Sequence, residues 1–198
     1  MIKFCSLFSG SSGNAIFFRK DNTKILIDAG LSGKKITEAL TSIGESPSEL
    51  DAILISHEHT DHIKGAGVLS RRYNTPIFAN AETWESMEDV IGPVASENIV
   101  IFDTGSEFEI GDACIKSFPI PHDAAEPVGF SLFAENKKVT VATDIGHINK
   151  ILMNCFEMSD LILLESNHDT EMLKIGSYPW PLKQRIAGSL GHLSNDMA

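Results

Sequence analysis

ILISHEHTDHIKG, residues 53–65, decides how this chain is read. Its opening residues form an apolar run suited to a buried strand, and His57, His59, Asp61 and His62 follow at once. His-x-His followed by Asp-His, on a loop leaving a strand, offers two imidazoles to one metal ion and a carboxylate with an imidazole to a second. Borderline metals such as zinc favour that mixture of nitrogen and oxygen ligands. A solvated polar loop is the plain alternative, and four such residues within six positions weigh against it.

Working outward, short β-rich runs alternate with amphipathic stretches. IKFCSLF, NAIFFR and KILIDA read as strands, and KKITEALTSIG puts Ile36, Ala39, Leu40 and Ile43 on one helical face before Gly44. ELDAILISH reads as a buried strand, IKGAGVLSRRY as a helix, TPIFAN as a strand and AETWESMEDVI as a helix. Five strands follow in NIVIF, EFEIG, ACIKSFPI, PVGFSLFAE and KVTVAT, with hairpin turns in EIGDACI and AENKKV. NKILMNCF is expected to be helical, DLILLES a strand, HDTEMLKIG and PLKQRIAGSLG helical, and a further helix is expected to start at Ser194. Two blocks of strands then helices suggest two sheets packed face to face with helices outside, although periodicity does not separate this from other α/β sandwiches.

The 198 residues, 42% hydrophobic and 22% charged, suffice for one sizeable core, so a single domain over residues 1–198 is expected. The apolar runs are far shorter than the roughly 20 residues that span a bilayer, and the opening MIKFCSLFSGSSGN lacks the regions of a signal peptide. Cys5, Cys114 and Cys155 are odd in number and widely spaced, as reduced thiols are. A cytoplasmic protein with no membrane partner is the expectation. A net charge of -11 argues against coating nucleic acid through bulk electrostatics. A confined basic groove stays open, with GKK at 33–35, RRY at 71–73 and LKQR at 182–185 as its candidate pieces.

SHEHTDH resembles the HxHxDH signature of the metallo-β-lactamase superfamily, and the other signature positions occur in order. Asp28 in ILIDAG matches the first, His122 in FPIPHD the third and Asp144 in VATDIG the fourth. The resemblance narrows to the YycJ/WalJ group, relatives of tRNase Z and the phosphodiesterases, through SLFSGSSGN at 6–14, LILLESNHD at 161–169 and GHLSN at 191–195. It implies an α/β four-layer αβ/βα sandwich lacking its usual C-terminal portion, where the family carries a last metal-binding histidine. It implies that His57, His59 and His122 hold one metal, Asp61 and His62 the second, and that Asp144 bridges them. Asp28 is carried over as a residue that orients the histidine loop without touching metal. The tRNase Z comparison pairs Glu165 with His192 of GHLS as a catalytic carboxylate–imidazole unit beside Asp144.

The function so implied is a dinuclear metal hydrolase of phosphodiester bonds, a 5'-to-3' exonuclease with DNA favoured over RNA as partner. Two divalent ions are its cofactors, zinc by default and manganese because Asp61 and Asp144 bring hard oxygen ligands. A thioester or lactone hydrolase, a small-molecule phosphodiesterase, and a non-catalytic binding module of the same fold are the rivals. His59 in place of a glutamate speaks against the di-iron flavoproteins of this fold.

Overall fold

The computed structural model describes residues 2–198; Met1, counted in the single expected domain and in the opening stretch read for a signal peptide, lies outside them. Two mixed sheets make the frame. The first runs β1 (Ile2–Phe8), β2 (Ala15–Lys20), β3 (Thr23–Ile27), β4 (Ala52–Leu54), β5 (Ile77–Ala79) and β6 (Ile99–Ile101), neighbours in space as in sequence. Its first three strands are antiparallel and β3 to β6 are parallel. The second contains β7 (Glu107–Ile110), β8 (Ala113–Pro119), β9 (Val128–Ala134), β10 (Lys137–Ala142) and β11 (Leu161–Leu164) in the order β11-β10-β9-β8-β7, parallel only between β10 and β11.

Period-two alternation sorts the core. Ile16, Phe18, Ile25, Ile27, Ala52 and Leu54 face the second sheet and meet Ile115, Phe130, Leu132 and Val141 between the layers. Their sequence neighbours Phe17, Leu26, Ile53 and Ile55 point the other way, onto α1 (Gly33–Ser42), α3 (Ala66–Tyr73) and α4 (Ala81–Ile91) through Ile36, Leu40, Leu69, Trp84 and Met87. On the outer face of the second sheet, Phe118, Ala142 and Ile145 receive Leu152 of α5 (Lys150–Phe156). Phe17, Phe18 and Phe130 are fully buried, each contributing on the order of 2 kcal/mol. The result is the four-layer sandwich, helices outside and sheets within.

Side-chain caps fix where the helices begin. Asn80, Asn149 and Asp169 accept the amides of Thr83, Leu152 and Met172 at 2.9, 2.9 and 2.8 Å, the last opening α6 (Thr170–Ile175). The helix expected over 63–73 is divided into α2 (Thr60–Ile63) and α3, because the Gly65 amide turns inward to the Ala29 carbonyl at 2.7 Å. A side chain there has no room: a Cβ on Gly65 would lie 2.3 Å from the Leu31 oxygen. The strand expected across residues 49–57 shortens to β4, since Pro47–Glu49 form a 3-10 turn and Ser56 turns toward Asp28. The final expected helix becomes α7 (Trp180–Ile186). No helix starts at Ser194; it forms a bridge with His168, drawn extended by Asn167 N–Leu193 O and Asn195 N–His168 O bonds, both 2.9 Å. No helix among the described residues is long and apolar enough to cross a membrane. Cys5, Cys114 and Cys155 are free thiols.

One carboxylate binds the first three strands together. Lys3, Arg19 and Lys24 stand side by side in cross-strand register on β1, β2 and β3, where like charges repel. Glu45, whose side chain is 1% exposed, lies over them: Oε1 takes Lys3 Nζ at 2.8 Å and Arg19 Nη1 at 2.7 Å, and Oε2 sits 3.1 Å from Lys24 Nζ. Burial pushes its pKa up, but the three cations outweigh burial and hold it below the ordinary glutamate value. A depressed folded-state pKa gives stability that is full above the unfolded value and lost as pH falls through the folded one. Glu45→Gln should therefore cost roughly 2–3 kcal/mol at neutral pH. In urea titrations the gap between variant and parent should close as pH drops below about 4; a gap of the same size at pH 3 would refute the assignment.

Candidate metal centre

The candidate residues gather at one end of the sandwich, because most of them sit just past the C-terminal end of a strand. Asp28 follows β3, the 56–62 segment follows β4, His122 lies three residues beyond β8, Asp144 lies two beyond β10 and Glu165 follows β11. Asp28 and Asp144 both adopt left-handed backbone, φ 59° and 56°, a conformation that aspartate tolerates better than most side chains.

Asp28 is wholly buried and organises the histidine loop. Its Oδ1 accepts the Ser56 amide at 2.9 Å, and its Oδ2 accepts the Ser56 hydroxyl at 2.9 Å and His62 Nδ1 at 2.8 Å. With its one proton given to Asp28, Ser56 Oγ accepts from His57 Nδ1 at 2.9 Å, which leaves the His57 lone pair on Nε2. His122 Nδ1 donates to the Gly191 carbonyl at 3.1 Å, so its lone pair is likewise on Nε2. Burial, reinforced by the neighbouring His62 charge, holds His57 well below the usual imidazole pKa, and burial lowers His122 too. Neutral imidazoles with defined lone pairs are what a metal site requires.

These lone pairs converge. His57 Nε2 and His122 Nε2 lie 3.0 and 3.3 Å from His59 Nδ1. Three nitrogens at tetrahedral positions around zinc, with bonds of about 2.05 Å, would be roughly 3.3 Å apart. Beside them His62 Nε2 faces Asp144 Oδ2 at 2.9 Å. With Nδ1–H committed to Asp28, a neutral His62 would present its lone pair to a carboxylate, and only a cation between them, a proton or a metal, removes that repulsion. Burial opposes a proton there, but Asp28 and Asp144 raise His62 well above the usual imidazole value. Burial would raise Asp144, yet its bonds to His192 and His62 hold it well below the carboxylate range.

Three donor groups, each within 4.8 Å internally, emerge among the described residues: His57–His59–His122, His57–His62–Asp144 and Asp144–Glu165–His192. Asp61 joins none of them; its Oδ2 lies 3.8 Å from His62 Nε2, at the edge of the second group. The donor set fits two divalent ions, one in an imidazole-rich place and one in a place richer in oxygen. In the third group His192 Nδ1 donates to Glu165 Oε1 at 2.7 Å and lies 3.3 Å from Asp144 Oδ1. Glu165 is itself fixed, its Oε2 accepting the amides of Ile145 and Leu193 at 2.8 and 3.1 Å. Burial disfavours the His192 cation, but Asp144 and Glu165 prevail and its pKa is raised to about 10.

Four residues at this site lie inside the stretches quoted above but were given no role from the sequence. Ser56 sets the imidazole tautomers, and Asn14 Nδ2 stands 3.1 Å from His62 Nε2. Asp123 places Oδ1 3.4 Å from His122 Nε2. Gly30 lets the chain pass the ligand loop, since a Cβ there would fall 1.6 Å from the Asp61 carbonyl oxygen. Their one available signal was adjacency, Ser56 to the HxHxDH run, Asp123 to His122 and Gly30 to Asp28.

Residues 9–186 match the family described as the Metallo-beta-lactamase superfamily. Among curated proteins the chain is 46% identical over 196 residues to "Exodeoxyribonuclease WalJ" of Streptococcus pneumoniae serotype 2, covering 98% of this chain and 73% of that protein. It is 42% identical over 198 residues to "Exodeoxyribonuclease YycJ" of Bacillus anthracis, covering 100% of this chain and 75% of that one. Among solved structures, the metallo-beta-lactamase fold protein YhfI from Bacillus subtilis superposes with a TM-score of 0.77 at 16% identity, over 100% of this chain and 80% of that one. Signature residues, sandwich and relatives agree, and the chain belongs to the metallo-β-lactamase superfamily.

Proposed function

We propose that this chain is a metal-dependent exodeoxyribonuclease, taking DNA in preference to RNA and digesting it from the 5' end. The observation that carries the reading is the place of Asp144, whose two oxygens lie 2.9 Å from His62 Nε2 and 3.3 Å from His192 Nδ1. One carboxylate thereby joins the imidazole cluster to a carboxylate–imidazole pair suited to proton transfer. Both curated relatives named above are exodeoxyribonucleases by name, which supports DNA as the substrate. A cytoplasmic location fits the free thiols and such a substrate.

In this reading His57, His59 and His122 hold one ion, Asp61 and His62 the other, and Asp144 serves both. Zinc suits the nitrogen-rich place, and manganese is an option where Asp61 and Asp144 contribute oxygens. Divalent ions bound there supply Lewis acidity toward a phosphodiester and lower the pKa of water toward neutrality. The protein's own work is orientation and proton delivery. Asp28, through Ser56 and His62, keeps the imidazole nitrogens aimed. His192 is held at Nδ1 by Glu165 while its Nε2 makes no bond, leaving a proton there for the departing oxygen. The side chain of His192 is 19% exposed, enough to meet a substrate.

A panel of 5'-phosphorylated DNA, RNA, bis(p-nitrophenyl) phosphate and a thioester, offered to the metal-loaded chain, tests the activity. DNA shortened from its 5' end is the expected result; thioester turnover without phosphodiester cleavage would replace this reading with the rival hydrolase, and no turnover with a binding module. A zinc titration should find one tighter and one weaker site, with His59→Ala abolishing the tighter one; unchanged stoichiometry in that variant would remove His59 from the ligand set. His192→Ala should lower kcat on DNA by roughly 10²–10⁴. The loss should be smaller on bis(p-nitrophenyl) phosphate, because p-nitrophenolate departs without a proton. Equal losses on both substrates would show that His192 acts structurally and is no general acid.

A further inference from the structure

A chain of net charge -11 must still hold a polyanion beside a site made of Asp61, Asp123, Asp144 and Glu165. The divalent ions proposed above offset these acids at the reacting phosphate, but the rest of a strand running over so acidic a chain still calls for a cation fixed at the mouth. Among the described residues, one Lys or Arg has its ion pair on a carboxylate adjoining the histidine cluster. Arg185, in the last turn of α7, donates Nε to Asp123 Oδ2 at 2.5 Å and Nη2 to Asp123 Oδ1 at 3.0 Å. Asp123 in turn stands 3.4 Å from His122 Nε2. Its hydrogen bond to Asp123, then the nearby charges of Asp61 and Asp144, raise the Arg185 pKa against the cost of burial, so the guanidinium lies within the field of the centre. The other base of the segment, Lys183, is committed to the Lys174 carbonyl at 2.7 Å.

The backbone fixes this placement. Beyond α7 the chain turns through Gly188 to Gly191, and there the Leu190 and Gly191 carbonyls accept Asp123 N at 3.0 Å and His122 Nδ1 at 3.1 Å. His192 N returns to the Ile186 carbonyl at 2.9 Å. Arg185, His122 and His192 are therefore parts of one bolted unit. A half-exposed ion pair contributes little to stability, so folding energy does not explain this fork. Of the five guanidinium N–H groups, two are taken by Asp123, and Nη1 makes no bond among the described residues. The free edge has the planar geometry that binds phosphate oxygens.

We propose that Arg185 is a positioning residue for the DNA backbone, gripping a phosphate of the strand being digested through its free edge while Asp123 holds the other edge. This rests on the nuclease reading above, but its test reads binding as well as cleavage. A 5'-phosphorylated single strand with phosphorothioate linkages is bound to the metal-loaded chain at a series of KCl concentrations and followed by fluorescence anisotropy. Each cation that meets a phosphate contributes about 0.7 to the slope of log affinity against log salt on single strands. Arg185→Gln, which keeps a hydrogen bond to Asp123 and loses the charge, should lower the slope by about 0.7 and weaken binding roughly 10- to 100-fold. On cleavable DNA its effect should fall mainly on KM. Arg185→Lys should restore the slope while leaving KM raised, because a point charge cannot form the fork. An unaltered slope in Arg185→Gln overturns the proposal, whatever happens to turnover. Should the Gln variant fail to fold, as metal content would show, Arg185→Lys decides: wild-type KM there overturns the fork. A parent chain that binds DNA and never cleaves it would defeat the nuclease reading, and the slope would still judge Arg185.

Discussion

The buried carboxylate of Asp28 is the constraint on which the rest of the candidate site depends. It lies between β3 and the histidine loop, takes three donors, and dictates which nitrogen keeps its lone pair in His62 directly and in His57 through Ser56. Such a network is worth more than its separate bonds, since any partner removed leaves another buried polar group unsatisfied. The ligand loop is accordingly rigid before any ion arrives. Preorganisation of this kind would spare metal binding the entropy of collecting side chains from three separate segments.

Charge is distributed in keeping with that arrangement. Within the inner acid–base cluster the carboxylates raise His62 and His192, while the imidazoles lower Asp144. If His62 and Asp144 hold a divalent ion as proposed, its binding would release a proton, and metal affinity would rise with pH. Far from this end, Glu45 solves the opposite problem, gathering three cations on neighbouring strands with one carboxylate.

The strands and helices were legible because their signals are local, Ala15 to Phe18 and Ile25 to Ile27 alternating faces and α4 beginning at a capping asparagine, whereas the four-layer arrangement came from the family resemblance. The histidine loop was legible for the same reason, its residues being packed into six positions. His122, Asp144 and the Glu165–His192 pair became visible only through their order within a known family pattern, since one histidine or one acid after a strand has many ordinary uses. Contacts spanning long separations were not legible at all. Ser56 reaches Asp28 across 28 positions, Asn14 reaches His62 across 48 and Arg185 reaches Asp123 across 62. The break at Gly65 in the helix expected over 63–73, and the absence of one at Ser194, share a reason: backbone bonds to Ala29 and His168, distant in sequence, outweighed local propensity.

The left-handed backbone at Asp28 and Asp144 changes how mutagenesis at this end of the molecule has to be interpreted. Alanine at either place removes a carboxylate and also the polar side chain by which aspartate tolerates left-handed backbone, so its effect mixes chemistry with main-chain strain. Asparagine accepts that conformation as readily as aspartate and keeps the shape, while it withdraws the charge and turns one acceptor oxygen into a donor. An alanine scan would therefore overstate what these two acids contribute chemically, whereas at His57, His59 and His122, where φ is not positive, it carries no such error. Two classes of null mutant that look alike in an activity assay would separate cleanly in a folding assay.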